Sequence, residues 1–246
     1  MRRFLAIVAR EWRAYFFSPL GYVILAGFLL MNGIIFSAIV SFMNQPGAPK
    51  GQALNLLFTN TYFWLFNLFV VPVIAMRLFA DERKSGTLEV LLTSPVSEGT
   101  VVLAKFVGAL GFFLSLWAPT LAYVFILRAQ TPVDFGPVSA GYLAILLLGA
   151  YFLAVGTFAS TLTKNQIVAA IFTFAMLIPV FSAGLLEQMM NNPTAKSLVG
   201  YFNLWDHMDE FARGVVDSRR LVYYLSATAF FLFLAAVSIS AKKETP

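Results

Sequence analysis

Apolar positions along this chain cluster into long runs and seldom alternate with polar ones. Six stretches, roughly 20–43, 59–79, 100–127, 139–162, 167–187 and 220–240, stay apolar over a helix's crossing length. A helix needs about 20 such residues to span a hydrocarbon core of about 30 Å. None carries Asp or Glu in its central portion. Backbone groups in lipid must pair within their own segment, so each stretch is expected to be helical. The pattern predicts an all-α integral membrane protein with six transmembrane helices.

The connections carry a different pattern. Residues 2–17 separate into Phe4, Leu5, Val8, Trp12, Tyr15 and Phe16 on one side and Arg2, Arg3, Arg10 and Arg13 on the other. Such a helix lies in the plane of a membrane interface, with Trp12 among its anchors and Arg3, Arg10 and Arg13 on its wet side. Ser18-Pro19 ends it. Residues 44–58, containing "NQPGAPKGQ", predict a turn-rich connection. Residues 188–219 predict an amphipathic insertion, with Leu204, Met208, Phe211 and Val215 at spacings of 4, 3 and 4 on its apolar side. Asp206, His207, Asp209 and Glu210 fall on its solvated side and are not expected to hold a metal.

Residues 82–95 have the most distinctive pattern. Asp81, Glu82, Arg83 and Lys84 are expected to stand in water, Ser85-Gly86 permits a turn, and Thr87 opens a short helix. Its Leu88, Leu91 and Leu92 share one face, Glu89 and Thr93 another, and Ser94-Pro95 stops it. A helix this short is not stable alone in water, so its leucines must bury against something. Ser97 is placed to cap the third span, and Asp217 or Ser218 the last.

Composition agrees with a membrane protein: 59% of the 246 residues are hydrophobic, 12% are charged and the mean hydropathy is +0.79. With both termini in the cytoplasm, eleven of the 17 Lys and Arg fall on the inner side, as topology favours. The basic balance then needs no nucleic acid. No Cys is present and His207 is the only histidine, which excludes thiolate chemistry and multi-histidine sites in this chain. No glycine precedes a lysine, so the chain has no P-loop. The first span is expected to be retained rather than cleaved as a signal, because Arg10, Glu11 and Arg13 interrupt the leading apolar residues. Asn32 and Asn67 sit inside spans and either line a pathway or join helices. Pro72, Pro119 and Pro179 interrupt spans two, three and five and either kink them for movement or reflect ordinary membrane-helix composition. Ala104 and Gly108 form a small-x-x-x-small pair suited to close packing.

The stretch "FADERKSGTLEVLLTSPVSEGTVVLAKF" resembles the loop after the second span in ABC-2-type ABC transporter permeases. Glu82, Gly86, Thr87, Glu89, Leu91 and Pro95 match that family's pattern. The likeness extends over nearly the whole chain, and "FASTLTKNQIVAA" and "WDHMDEFARGVVDSRRLVYYLS" look most like the gliding-motility and copper-enzyme-maturation subgroup. The resemblance implies a single permease domain over 1–246 and a coupling helix at 82–95. Glu82, Arg83, Lys84, Gly86, Thr87, Leu88, Glu89, Leu91, Leu92 and Pro95 would dock it on a separate ATPase. It also implies ABC-type ATP-binding subunits that hold ATP and Mg, with no cofactor in this chain. A second permease subunit, an accessory subunit with a periplasmic domain and location in a bacterial inner membrane follow from the same likeness. Export is the expected direction. Two other readings remain from the residues alone: a membrane anchor that recruits an ATPase without transporting, and a self-contained secondary transporter. The second is disfavoured by the lack of ionisable groups at mid-span.

Overall fold

The computed structural model describes residues 2–46, 53–87, 97–129 and 133–243. Among them every regular element is helical: α1 (Arg2–Phe16), α2 (Pro19–Met43), α3 (Ala53–Thr59), α4 (Thr61–Ala75), α5 (Ala80–Ser85), α6 (Glu98–Trp117), α7 (Leu121–Arg128), α8 (Phe135–Leu162), α9 (Gln166–Met189), α10 (Pro193–Gly200), α11 (Leu204–Ala212) and α12 (Ser218–Lys243). Six helical stretches are long and apolar enough to cross a membrane: 19–43, 61–85, 98–128, 135–162, 166–189 and 218–241. Six crossings leave α1, α5 and the 163–165 turn at one end of the bundle, here the terminal face. The connections α3, α10 and α11 lie at the opposite end, the far face.

The bundle is built around α8. It packs on α4, α6, α9 and α12 as well as on α3, α5 and α11. Within its apolar window 72% of residues are buried, against 28%, 28% and 22% for α2, α9 and α12. Those three helices therefore turn most of their apolar surface outward, as helices facing lipid or another subunit do. Glycines let α8 be central. A side chain at Gly149 would overlap the Phe113 ring of α6, and one at Gly156 would meet Ala75 at the end of α4. Absence of a side chain allows backbones to approach closely, which is how helices gain contact where lipid offers no hydrophobic drive.

Local signals account for the element ends. Ser97 accepts from the Thr100 amide at 3.4 Å, Asn60 from Phe63 at 2.8 Å, and Asn165 from Ile167 at 2.9 Å. Asp217 accepts from the Arg219 amide at 2.8 Å. Among these, Ser97 and Asp217 act as the sequence predicts. Pro119 lies in a 3-10 turn, Ala118–Thr120, that divides the third span into α6 and α7. Pro72 and Pro179 instead sit inside uninterrupted helices.

Three expectations need correction. The 44–58 connection is not all turn, because α3 buries Leu57 and Phe58 and packs on α11. Seven residues are too few for a periodic signal to appear. Val215 does not extend the apolar side of α11. Gly214 adopts φ +86°, with Gly214 donating to the Phe211 carbonyl and Val215 to that of Glu210, a Schellman ending that leaves Val215 exposed. His207 is not solvated but fully buried, between Tyr223 and Tyr224 of α12.

Candidate functional site

At the terminal face, α5 follows α4 after a four-residue non-helical turn, Met76–Phe79. Such a turn frees backbone groups that need partners when buried. Ser160 of α8 supplies them. Its hydroxyl accepts from the amides of Phe79 and Ala80, both at 3.0 Å, and donates to the Met76 carbonyl at 3.1 Å. One donor and two acceptor lone pairs are all a serine hydroxyl has, and all are used.

The charged side chains that follow are drawn inward. Gln166, at the start of α9, donates to Asp81 at 2.6 Å. Arg83 donates to the Thr161 carbonyl at 2.7 Å, where a cation also complements the end of α8. Glu82, with 17% of its side chain exposed, meets Lys105 of α6 at 3.0 Å and Arg10 of α1 at 2.7 Å. Both cations also meet Glu11, Lys105 at 2.8 Å and Arg10 at 3.0 Å. Two cations and two carboxylates thus alternate around a ring with no net charge. Lys105 is 1% exposed, and its ammonium also lies 5.3 Å from the Phe79 ring centroid. A buried ammonium is tolerable only when paired this closely. The expectation that Asp81, Glu82 and Arg83 stand in water is therefore wrong in part: all three are half-buried and bonded to other helices, while Lys84 and Thr87 are exposed. Gly86 is left-handed at φ +74° and ends α5. Leu88, Glu89, Leu91, Leu92 and Pro95 lie outside the described residues.

Helix α1 closes the site from the side. It packs against the middle of α6, where a side chain at Gly108 would stand 2.7 Å from the Glu11 Cβ. Tyr15 stacks on Phe112, with centroids 4.6 Å apart, and donates to the Ile74 carbonyl at 2.8 Å. Burial pushes its phenol well above the usual range, so it remains a donor. The apolar arc predicted for α1 is split in two. Tyr15, with Phe4, Val8 and Phe16, packs inward, whereas Leu5 and Trp12 are exposed, beside exposed Arg2, Arg3 and Arg13. Arg10 leaves that polar side to join Glu82. Arg77 donates to Ser18 at 2.8 Å and lies 5.9 Å from the Tyr15 ring centroid.

The asparagines within spans are occupied locally. Asn32 donates to the Phe28 carbonyl at 3.0 Å and Asn67 to that of Phe63 at 2.7 Å. Both side chains are buried and bonded within their own helices.

A second polar cluster lies at the far face. Asn203 caps α11 and donates to Glu187 at 2.8 Å and Asp206 at 2.9 Å. Trp205 donates to the Phe181 carbonyl at 3.0 Å. Arg220 forks onto Glu210, with both bonds at 3.0 Å, and approaches His207 Nε2 at 2.8 Å. Burial, then the Arg220 charge, lowers the His207 pKa to about 4, so the ring is neutral and Nε2 can accept from Arg220. Arg220 holds Glu210 below the usual carboxylate range.

Sequence reasoning missed Glu11, Lys105, Ser160 and Gln166. Lys105 did carry a signal, being a cation inside the apolar run "VVLAKFVGAL", and Glu11 is the one acid of α1. Nothing distinguished Ser160 from other membrane serines.

A family model described as ABC-2 family transporter protein matches residues 6–241, nearly the whole chain. The chain belongs to that family. It is a multi-pass membrane protein of the transporter-subunit kind and not itself catalytic. No curated protein matches it.

Proposed function

We propose, from membership of the ABC-2 family as the premise, that this protein is the permease subunit of an ATP-driven exporter. Separate ABC-type subunits bind ATP and Mg. They dock on the terminal face, which is cytoplasmic, through α5 and the 88–96 stretch. Two permease subunits, identical or related, form the pathway in a bacterial inner membrane. An accessory subunit at the far face fits the resemblance to the gliding-motility subgroup.

The observation that carries this reading is the anchoring of α5. Within five residues of chain, Phe79 to Arg83 and their side chains are bonded to α1, α6, α8 and α9. A partner that displaces this segment must therefore bias the packing of four helices at once. Mechanical coupling needs such a joint, because a ligand moves a bundle only by favouring one of its discrete packings. Exposed Lys84 and Thr87, with Glu89, form the docking rim, while Leu88, Leu91 and Leu92 supply its apolar centre. Rim charges steer and orient, and buried apolar anchors carry the affinity.

The test is purification from native membranes in mild detergent. A P-loop ATPase should accompany the chain. Reconstituted with it, Glu89→Ala combined with Leu91→Ala should retain ATP hydrolysis while losing cargo movement. Absence of any associated ATPase, or unchanged transport by the double variant, would refute the docking role.

A further inference from the structure

Charge is distributed unevenly between the two ends of the bundle. At the terminal face the carboxylates Glu11, Asp81, Glu82 and Glu98 are all half-buried. Glu11 and Glu82 are taken up by the ring, and Asp81 receives the Gln166 amide. Arg2, Arg3, Arg10, Arg13, Lys84 and Lys164 are exposed. Among the described residues, every exposed charged side chain of this face is therefore a cation. The far face differs, since exposed Asp134 and Asp206 stand among its cations. Topology favours Lys and Arg on one side of a membrane but is nearly indifferent to Asp and Glu. Withdrawal of the acids from the terminal surface is a separate feature.

Most of the exposed charge lies on α1, in a definite order. At 3.6 residues per turn, the exposed side of α1 and the residue after it runs from Trp12 and Leu5, through Arg2 and Arg13, to Phe17, Arg10 and Arg3. Arg10 is tied to Glu82 and Glu11. Arg2 and Arg13, in the middle, have no ion-pair partner among the described residues. The apolar residues beside them are not isolated. Phe17 leads into α2, whose Tyr22 and Val23 are exposed in turn. The apolar edge of α1 thus runs on into the outward surface of the first span.

We propose that α1 docks on an anionic lipid leaflet, with Arg2 and Arg13 at its phosphates and Leu5, Trp12 and Phe17 reaching toward the acyl chains. Amphipathicity alone places α1 at an interface; the unpaired cations give that interface its sign. Binding of such a helix combines apolar burial with attraction to acidic lipids, and each cation near an acidic surface strengthens it roughly fivefold. An acidic protein surface would also match the arginines, but continuity with α2 sets this side of α1 against lipid. Arg10 and Glu11 ride on the same helix, so a leaflet that holds α1 also holds the ring that secures α5. Lipid charge thereby regulates the stiffness of the joint. The inference does not depend on which protein docks on α5.

The test places the full chain in nanodiscs of choline phospholipid, alone or with one third anionic glycerol phospholipid, and reads hydrogen exchange of the α1 amides by mass spectrometry. Anionic lipid should slow that exchange several-fold. Raising the salt from about 0.1 M to about 1 M shortens the screening length from about 10 Å to about 3 Å and should remove most of the gain. Arg2→Gln with Arg13→Gln should abolish the response while leaving exchange in choline lipid at the wild-type level. Arg2→Lys with Arg13→Lys should keep it, because the sign of the charge is read and not the guanidinium fork. Exchange indifferent to lipid charge, or a response that survives the glutamine variant, overturns the proposal. Slowing that appears only when a co-purified ATPase is added also overturns it and assigns the cations to that protein.

Discussion

Lys105 and Ser160 are single residues on which the terminal face depends, and each fails differently. Truncating Ser160 to Ala orphans two buried amides and a carbonyl at the α4–α5 turn. Each unpartnered group costs about 1–3 kcal/mol, so Ser160→Ala should lower the thermal midpoint in detergent more than an ordinary membrane serine would. Removing Lys105 leaves Glu11 and Glu82 to share Arg10 alone, one carboxylate in excess beside the buried end of α6. Breaking a buried pair in this way costs about 3–5 kcal/mol, so Lys105→Met should be severely destabilised. Adding Glu82→Gln should recover much of that loss, since Arg10–Glu11 remains paired. If the double variant melted no higher than the single one, the ring would not be the source. His207 makes the same point for pH. Its folded pKa is about 4 against an ordinary 6.5, so the unfolded form binds more protons between those values. Far-face stability should therefore be intact above about pH 6.5 and fall as pH drops toward 4. Hydrogen-exchange protection of α11 should follow that window, and His207→Gln should flatten it.

Helices were legible in the sequence where composition alone decides them. Six apolar runs can only be spans, and Ser97 and Asp217 mark their starts by elementary capping chemistry. Which helix meets which is a different question. Arg10 and Glu82 are 72 residues apart in the chain, and periodicity assigns faces to residues without naming partners. The charged lead-in of α5 therefore read as solvated, although three of its four charges pair with other helices. The apolar arc of α1 read as one membrane face, although half of it packs on α6. Glycine spacing carried more information than it first offered. Gly108 receives α1, and Gly149 and Gly156 let α6 and α4 close on α8. Gly156→Val should drive α8 away from Ala75 at a cost of about 1–3 kcal/mol. Its thermal midpoint, compared with that of Gly27→Val, where a side chain meets open space, measures the difference.

Across the whole molecule, burial is concentrated on α8, while α2, α9 and α12 form a looser perimeter. Movement of the perimeter costs fewer internal contacts than movement of the centre. A rocking transition is thus expected to carry the perimeter helices around α8, with the terminal face as its handle. The ring of Arg10, Glu11, Glu82 and Lys105 adds an electrical consequence. Carrying a unit charge through a membrane potential costs about 2.3 kcal/mol per 100 mV. Two positive and two negative groups that travel together move no charge at all. The ring itself therefore adds nothing to the voltage dependence of a stroke transmitted through α1, α5 and α6, and breaking it by charge-changing substitution would introduce one.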